Sequence, residues 1–338
     1  MARAPVEVPS PAGANPPTSL LVDEEGNVVT ALDAGRLRSR IGDGRPFWLD
    51  LFRPGPAEYR LLSDAFGFHP LAVEDAEHFG QRPKLEDYDD FVYLVLYGAD
   101  PEGGRLVEVH CFFSPHYLVT VHRDDCPSFA ELRDRHCRRR VPVTDELSLL
   151  YRVADGLVDS FFPVLAQYDD KVDAVQDDIL VRPREEQLGR LFDMKRSLLG
   201  LRKVLGPQRD LFASLLAGAS ELPGMTPDSE RYFRDVYDHL IRIGDLADSY
   251  RDLVNGAMDV YLSTVSNRLN QVMKQLTIIA TVFLPLSFVT GFFGQNFGWM
   301  VDRLGGLPVF LGAGIGTELF AVTLLVVLGS RRGWVGGG

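Results

Sequence analysis

Short apolar runs separated by polar turns dominate the chain from residue 20 to residue 143. Runs rich in β-branched and aromatic residues predict strands, and they cover residues 20–30, 47–52, 91–97 and 106–122. Polar turns divide the first of these runs at residues 24–27 and the last at residues 114–116. Helical spacing at residues 57–66, after Pro70 and at residues 128–139 predicts three helices. We therefore predict a mixed sheet with helices, an α/β or α+β domain, over residues 20–143.

A helical period replaces the strand pattern after residue 143. Leu149, Val153 and Leu157 recur at every fourth position, which predicts a helix over residues 145–181. A second helical pattern covers residues 185–217, and Pro207 predicts a kink within it. Together these patterns predict a helical hairpin over residues 144–227.

One unbroken helical pattern then runs from residue 228 to residue 293, with Pro285 as its only proline. At about 1.5 Å per residue, such a helix is roughly 100 Å long. A small globular core cannot cover a helix of this length. We therefore expect it to leave the soluble domain as a stalk, and identical copies of the chain are its simplest partners.

Two apolar runs near the C-terminus are long enough to cross a bilayer, which takes about 17–25 residues. The first, residues 276–293, has no charged residue and ends the long helix, and the second covers residues 307–329. Residues 294–306 would form an external loop between the two spans. We predict a hairpin of two transmembrane helices in contact with the lipid bilayer.

The distribution of basic residues sets the orientation of this hairpin. Arg268 and Lys274 precede the first span, Arg331 and Arg332 follow the second, and the loop between them has one basic residue, Arg303. The positive-inside rule then places both termini in the cytoplasm. We expect the membrane to be the inner or plasma membrane of the cell. Residues 1–19, rich in Pro and Ala, predict a disordered arm, and residues 330–338 a cytoplasmic basic tail.

Composition narrows the function further. The net charge of −12 argues against a nucleic-acid partner, which requires a basic face. It suits a protein that handles cations, and it also suits a merely solvated acidic surface. The three cysteines include no CxxC pair and indicate reduced cytosolic thiols. The chain has no GxxxxGK[ST] phosphate-binding loop and no evident pairing of nucleophile and base, so we expect neither an enzyme nor an organic cofactor.

A stripe of mostly small and polar residues follows one side of the long helix at alternating steps of four and three. We call these residues the seam: Asp259, Ser263, Ser266, Asn270, Met273, Thr277, Ala280, Leu284, Ser287 and Gly291. One interpretation is close helix packing in lipid, which favours small residues. The other is a water-filled pore between symmetric copies, with polar oxygens for a hydrated cation, apolar gates at Met273 and Leu284, and an acidic mouth at Asp259.

The turn after the first span, Gly294-Gln295-Asn296, supports the second interpretation. Amide oxygens without a carboxylate suit an ion such as Mg²⁺, which dehydrates reluctantly and keeps its waters. The alternative is a glycine-rich turn that only reverses the chain.

At these residues the chain resembles the CorA family of divalent-cation channels, in which Gly-Met-Asn ends the first span. Gly294 and Asn296 match that motif, and Gln295 replaces its methionine. The resemblance extends upstream through FGFHPLAVED, QRPKLEDYDDFVYLVL, YFRDVYDHL and RDLVNGAMDVYLS, and so covers roughly residues 66–334.

The resemblance implies a homopentamer with a funnel-shaped cytoplasmic domain and a pore lined by the long helices. The second spans would form an outer ring, and Gly294, Gln295 and Asn296 the selectivity filter. The pore positions that it implies are Asn270, Met273, Leu276, Leu284 and Ser287, with Leu276 as an alternative to Thr277.

The resemblance also implies that intracellular magnesium, bound between subunits, holds the channel closed. Asp235 matches one carboxylate of that site, and Asp100 is its proposed partner from a neighbouring copy. Exposed surface charge is the alternative for both aspartates.

Three functions remain open. The first is a channel for magnesium, and for cobalt or nickel. The second is a zinc or other transition-metal transporter of the same fold, possible for the Gln295 variant, with Glu318 in the second span as a proton-coupling residue. A protonated Glu318 bonded to a neighbouring helix is the alternative for that residue. The third function is a membrane-anchored assembly protein that conducts no ion.

Overall fold

The computed structural model describes residues 19–100, 104–295, 298–303 and 306–331. The chain divides into two compact units. The first contains residues up to Asp177 together with Glu185–Ala257, and the second contains Asp178–Arg184 and the residues from Met258 onward. One helix contributes residues to both.

A seven-stranded sheet with the order β2-β1-β3-β7-β6-β5-β4 forms the core of the first unit. Its strands are β1 (Ser19–Asp23), β2 (Val28–Val29), β3 (Phe47–Phe52), β4 (Lys84–Asp87), β5 (Val92–Ala99), β6 (Leu106–Ser114) and β7 (Tyr117–His122). All neighbours are antiparallel except β3 and β7, whose parallel register pairs Leu49 with Val119. Strands β3, β5, β6 and β7 are buried along nearly their whole length, which agrees with their continuous apolar runs.

Four helices accompany the sheet: α1 (Ala34–Asp43), α2 (Pro56–Asp64), α3 (Pro70–Glu77) and α4 (Pro127–Arg139). Three of them begin with proline, whose fixed φ suits the first helical position. Helix α1 begins after Asp33, whose carboxylate accepts a hydrogen bond from the Arg36 amide. The three predicted helices are present with ends shifted by one or two residues, whereas α1 and β4 are additional to the sequence prediction.

A buried polar network joins β3 to β7 and α4. The Asp50 carboxylate accepts a hydrogen bond from Thr120 Oγ1 at 2.6 Å and lies 2.6 Å from Arg133 Nε and 3.1 Å from His122 Nε2. Burial alone would raise the pKa of Asp50, but His122, Arg133 and Thr120 outweigh it, so the pKa lies below its ordinary value. Trp48 Nε1 donates to the same Thr120 hydroxyl at 2.9 Å.

Helices make up the rest of the chain: α5 (Glu146–Asp159), α6 (Phe161–Val181), α7 (Glu185–Leu216) and α8 (Pro227–Phe293). The prediction of one helix over residues 145–181 was wrong, because α5 and α6 meet at Ser160. The Ser160 hydroxyl donates to the Leu157 carbonyl and accepts from the Ala99 amide, which ties this junction to the end of β5. Helix α7 continues through Pro207, and the neighbouring Gln208 side chain bonds both the amide and the carbonyl of Tyr97.

The second unit contains the end of α8 and the helices after it. Helix α9 (Gly298–Arg303) lies in the stretch predicted as a plain loop. The second span, predicted as a helix over residues 307–329, is helical, and a π-helical stretch (Phe310–Ile315) joins α10 (Leu307–Val309) to α11 (Gly316–Arg331). Three glycines at alternate positions, 312, 314 and 316, lower the preference for regular α-helix there. Helix α8 and residues 307–328 are long and apolar enough to cross a membrane, and their apolar stretches are not buried within the chain.

Candidate ion path and acidic cluster

The seam lies on a face of α8 that the single chain leaves open. All ten seam residues are exposed, and Met273 and Leu284 are 65% and 76% exposed. Ile278, Val282 and Val289 are half-buried, whereas Ile279, Phe283 and Phe288, also outside the seam, are exposed. Leu276 and Thr277, the two alternatives for one predicted pore position, are both exposed. Met273, Leu284 and the polar positions of the seam are therefore exposed in the single chain.

The threonine hydroxyls of α8 are oriented by the helix itself. Thr277 Oγ1 donates to the Met273 carbonyl at 2.8 Å, and Thr281 Oγ1 donates to the Thr277 carbonyl at 2.7 Å. A hydroxyl whose proton is committed in this way retains its lone pairs as acceptors. Waters around a cation present protons outward, so Thr277 offers the polarity that a hydrated cation needs.

The turn after the first span depends on Gly294. Its amide donates to the Thr290 carbonyl at 2.9 Å, and the Gln295 amide donates to the Phe292 carbonyl at 3.3 Å. A Cβ at Gly294 would lie 3.0 Å from the Thr290 carbonyl oxygen, closer than ordinary contact allows. Gln295 is exposed, whereas Asn296, the third predicted filter residue, lies outside the described residues.

Glu318 contacts the end of the first span. Its Oε1 lies 2.7 Å from Thr290 Oγ1, and the same hydroxyl lies 2.9 Å from the Leu286 carbonyl oxygen. Glu318 is the third residue of α11, directly after the π-helical stretch. The contact therefore joins the two predicted spans one helical turn before Gly294.

A second candidate site lies in the first unit, where two helices bring together Asp155, Asp159, Asp235 and His239. We call these four residues the acidic cluster. His239 Nδ1 lies 2.8 Å from Asp159 Oδ1 and 4.0 Å from Asp155 Oδ1, and its Nε2 lies 3.9 Å from Asp235 Oδ1. Ligand atoms of Asp155, Asp159 and His239 all lie within 4.8 Å of one another, an arrangement that could hold a metal ion.

The charges of the acidic cluster perturb one another. Burial, Asp159 and Asp235 together raise the pKa of Asp155 to about 6, against the opposing effect of His239. A bound cation would favour the ionised carboxylates and relieve their repulsion. The carboxylate oxygens suit Mg²⁺, whereas the imidazole nitrogen also suits transition metals such as Co²⁺, Ni²⁺ or Zn²⁺.

Solvent reaches the acidic cluster through a cavity of about 650 Å³ between α4, α5 and the start of α8. Asp155 and Asp159 line it, together with Arg135, Arg152 and Tyr232. An ion that retains part of its water shell could therefore enter the cluster.

The sequence analysis identified only Asp235 of this cluster. The signal for the others was present, because Asp155 and Asp159, and likewise Asp235 and His239, are each four residues apart on one helix face. The proposed partner Asp100 lies at the end of β5, where its amide bonds the Arg105 carbonyl and its carboxylate lies 3.5 Å from the Arg105 guanidinium.

Known proteins resemble this chain in sequence and in fold. Residues 43–329 match the family described as "CorA-like Mg2+ transporter protein". The chain is 36% identical over 282 residues to a cobalt/magnesium transport protein CorA of Thermotoga maritima, covering 81% of this chain and 79% of that one. It is 26% identical over 303 residues to a zinc transport protein ZntB of Pectobacterium carotovorum, covering 87% and 88%.

A solved structure has the same fold over nearly the whole chain. The complete CorA magnesium transporter from Methanocaldococcus jannaschii superposes with a TM-score of 0.80, covering 94% of this chain and 98% of that chain at 21% identity. This likeness confirms the predicted fold, a domain with a mixed sheet followed by a long helix and a C-terminal apolar helix.

Proposed function

The chain belongs to the CorA-like Mg²⁺ transporter family, a family of membrane transporters for divalent cations and not of enzymes, and we propose that it is a magnesium channel. In this proposal five copies surround a central pore lined by the seam of α8, and hydrated Mg²⁺, Co²⁺ or Ni²⁺ passes down its own gradient. The observation that carries the proposal is the exposed seam, which is mostly small or polar along both the stalk and the membrane span.

The pore chemistry would work through waters rather than direct coordination. Asn270, Thr277 and Ser287 would accept hydrogen bonds from the hydration shell, and Met273 and Leu284 would form the apolar constrictions. Gly294, Gln295 and Asn296 would form the selectivity filter at the external end of the pore. Both termini of each copy would lie in the cytoplasm.

Cytoplasmic magnesium would close the channel in the same proposal. Asp235 and a neighbouring copy's aspartate, proposed as Asp100, would share the regulatory ion, and Asp155 and Asp159 would add carboxylates on the Asp235 side. Without the ion, like charges would repel and the subunits would move apart. The short distances within the acidic cluster support this role.

A zinc or other transition-metal transporter is the second candidate. The ZntB similarity and the imidazole of the acidic cluster favour it, whereas neither span contributes a histidine or cysteine ligand. A non-conducting assembly protein remains the third candidate, and conduction by purified protein would exclude it.

The deciding experiment is ion flux into liposomes that contain purified full-length protein, with magnesium, cobalt, nickel and zinc compared. We expect magnesium flux that follows its own gradient without a pH gradient and is lost in Asn296→Ala. The matched control is Asn255→Ala, since Asn255 lies in the cytoplasmic part of α8 and accepts a bond from Lys195. Flux of zinc alone, dependent on a proton gradient, would replace the proposal with the second candidate.

A further inference from the structure

The cavity beside the acidic cluster has charges of opposite sign toward its two ends. Arg152, Asp155 and Asp159 line it from one face of α5, at spacings of three and four residues. At about 1.5 Å per residue, Asp159 lies roughly 10 Å along the helix axis from Arg152. His239 of α8 contacts Asp159 at 2.8 Å. One end of the cavity therefore carries paired carboxylates, and the other end carries a guanidinium group.

A second guanidinium group, that of Arg135 on α4, belongs to the same end as Arg152. Burial lowers the pKa of His136, and the hydrogen bond of its imidazole with the Val141 carbonyl opposes this. The positive charges of Arg152 and Arg135 lower the same pKa further, so both cations lie near one imidazole. Arg152 has no hydrogen-bond or ion-pair partner among the described residues, and Arg135 has an exposed contact with Glu131 at 3.7 Å, which contributes little. Two such arginines suit a ligand with several anionic oxygens.

The carboxylate end of the cavity suits the metal ion of such a ligand. Ligand atoms of Asp155, Asp159 and His239 all lie within 4.8 Å of one another. Mg²⁺ requires octahedral geometry, and in proteins it usually takes one or two carboxylates together with phosphate oxygens and waters. Asp155 and Asp159 would therefore leave most positions around the ion to phosphate and water. A polyphosphate that chelates the ion can extend from it toward the two arginines.

The other carboxylates of the cavity favour a ligand that arrives with its metal. Asp145 accepts a hydrogen bond from the Leu147 amide at the start of α5, and Asp228 lies 3.7 Å from Arg231. These carboxylates line the same cavity and would repel a free polyphosphate. A chelated Mg²⁺ offsets part of the phosphate charge, so the complex fits the cavity better than the metal-free anion.

Two aromatic rings give the cavity a place for a nucleobase. The ring centroids of Tyr151 and Tyr232 lie 5.1 Å apart, one on α5 and one on α8, and both residues line the cavity. Tyr232 is 57% exposed, so its ring is accessible for stacking with a base. The cavity volume of about 650 Å³ lies within the range of roughly 300–1,000 Å³ that is usual for small-molecule sites.

We propose that this cavity binds a magnesium-chelated nucleoside polyphosphate, with the ion at Asp155 and Asp159, the phosphates at Arg135 and Arg152, and the base against Tyr232. The bound complex adds phosphate ligands to the ion at the acidic cluster and so strengthens closure of the channel by magnesium. This effect on closure rests on the proposed channel function, whereas binding of the nucleotide does not.

Isothermal titration calorimetry of purified full-length protein with adenosine triphosphate and magnesium tests the binding. We expect the affinity to fall at least tenfold when EDTA removes the magnesium, and likewise in the double variant Arg135→Gln/Arg152→Gln. Arg138→Gln is the matched control, because this arginine is exposed on α4 outside the cavity lining. An unchanged Tm shows that the variants are folded. No heat of binding in wild type, or wild-type affinity in the double variant, overturns the proposal.

Magnesium tripolyphosphate separates the contribution of the base from that of the phosphates. We expect it to bind several-fold more weakly than the magnesium complex of adenosine triphosphate. Tyr232→Ala should weaken binding of the nucleotide several-fold and leave binding of tripolyphosphate unchanged. Equal affinities of the two ligands in wild type would overturn the assignment of a nucleotide.

Magnesium flux into liposomes, at constant free magnesium and with nucleotide on both sides of the membrane, tests the effect on closure. We expect adenosine triphosphate to lower the flux several-fold in wild type and not in the double arginine variant. Flux without any binding of nucleotide would overturn this proposal and leave the channel function intact. Binding of nucleotide without flux of any ion would overturn the channel function and leave the nucleotide site.

Discussion

Nδ1 of His239 lies 2.8 Å from Oδ1 of Asp159, although one residue belongs to α8 and the other to α5. Asp155 and Asp235 lie on opposite sides of the same imidazole. A proton on Asp155, whose pKa is raised to about 6, and a bound divalent cation would each neutralise the same carboxylate. Protons and metal ions should therefore compete for the acidic cluster.

Magnesium should stabilise the protein less as the medium becomes acidic. Asp155 has a pKa of about 6, so below that value it loses the charge that a cation needs. A saturating ligand adds about 3 kcal/mol at a hundred times its dissociation constant, which corresponds to a rise in Tm of several degrees. We expect this rise at neutral pH, with a smaller rise below pH 6, in thermal unfolding of purified full-length protein. An equal rise at both pH values would exclude the acidic cluster as the site.

Asp155→Asn should have opposite effects with and without metal. The pKa of Asp155 is raised in the folded protein, so its contribution to stability is present in acid and is lost as the pH rises through about 6. Without metal at neutral pH, the substitution should therefore stabilise the fold, by about 1 kcal/mol after allowance for solvent screening. With magnesium, the variant should lack most of the rise in Tm. Asp134→Asn, at an exposed carboxylate of α4 outside the cavity lining, is the control and should change neither quantity.

Bulky substitutions on the seam should block conduction without affecting assembly. Ala280→Leu adds volume on the exposed seam, whereas Ile279→Leu changes shape on the adjacent face without adding volume. We expect loss of magnesium flux in the first variant only, with both eluting as the wild-type oligomer. Normal flux in Ala280→Leu would place the seam away from the ion path.

Gly294 should be sensitive to the smallest possible substitution. A Cβ there would lie 3.0 Å from the Thr290 carbonyl oxygen, so Gly294→Ala forces the last turn of α8 to shift by a few tenths of an ångström. We expect a marked fall in flux with little change in Tm. Gly298→Ala is the matched control, because a Cβ at that position meets no heavy atom of the described residues within 4 Å. Equal flux in both variants would show that the turn tolerates the displacement.

The Asp50 network should matter for stability but not for selectivity. Asp50→Asn removes the charge that His122 and Arg133 both contact in the core, and we expect a loss of about 3 kcal/mol, measured as a lower Tm. Asp125→Asn should cost less, because Asp125 is about one-quarter exposed and its Oδ2 lies 3.4 Å from Arg133. Comparable losses in the two variants would contradict the assignment of Asp50 as the main counter-charge. The ion preference of the flux should be unchanged in both.

The sequence predicted the long helix almost to the residue. The prediction of residues 228–293 compares with Pro227–Phe293 in the structure, because a proline-rich turn and a glycine mark its two ends. Helix α1 was missed because its exposed surface is polar and only Leu37 is fully buried. Strand β4, Lys-Leu-Glu-Asp, was missed because an edge strand without apolar alternation has no periodic signal.

The two contacts that matter most for the site could not be predicted from local pattern. Asp159 and His239 are 80 positions apart, and only the packing of α5 against α8 makes them neighbours. Thr290 and Glu318 are 28 positions apart and meet across two helices, which the pattern within either helix does not indicate. The seam, in contrast, follows from periodicity alone, since it lies on one continuous helix.

The two ends of the sheet have a consequence for how copies of the chain associate. Strand β2 has two residues, and β4 carries the charged side chains Lys84 and Glu86 and the exposed Asp87. Short or charged edges resist the addition of a further strand. Association by strand exchange, the route to fibres and to swapped dimers, is thereby disfavoured, and contacts between copies are directed to helix surfaces. Copies that associate through helices can slide past one another without breaking a hydrogen-bonded ladder, which is the mechanical freedom that the proposed gated pore would require.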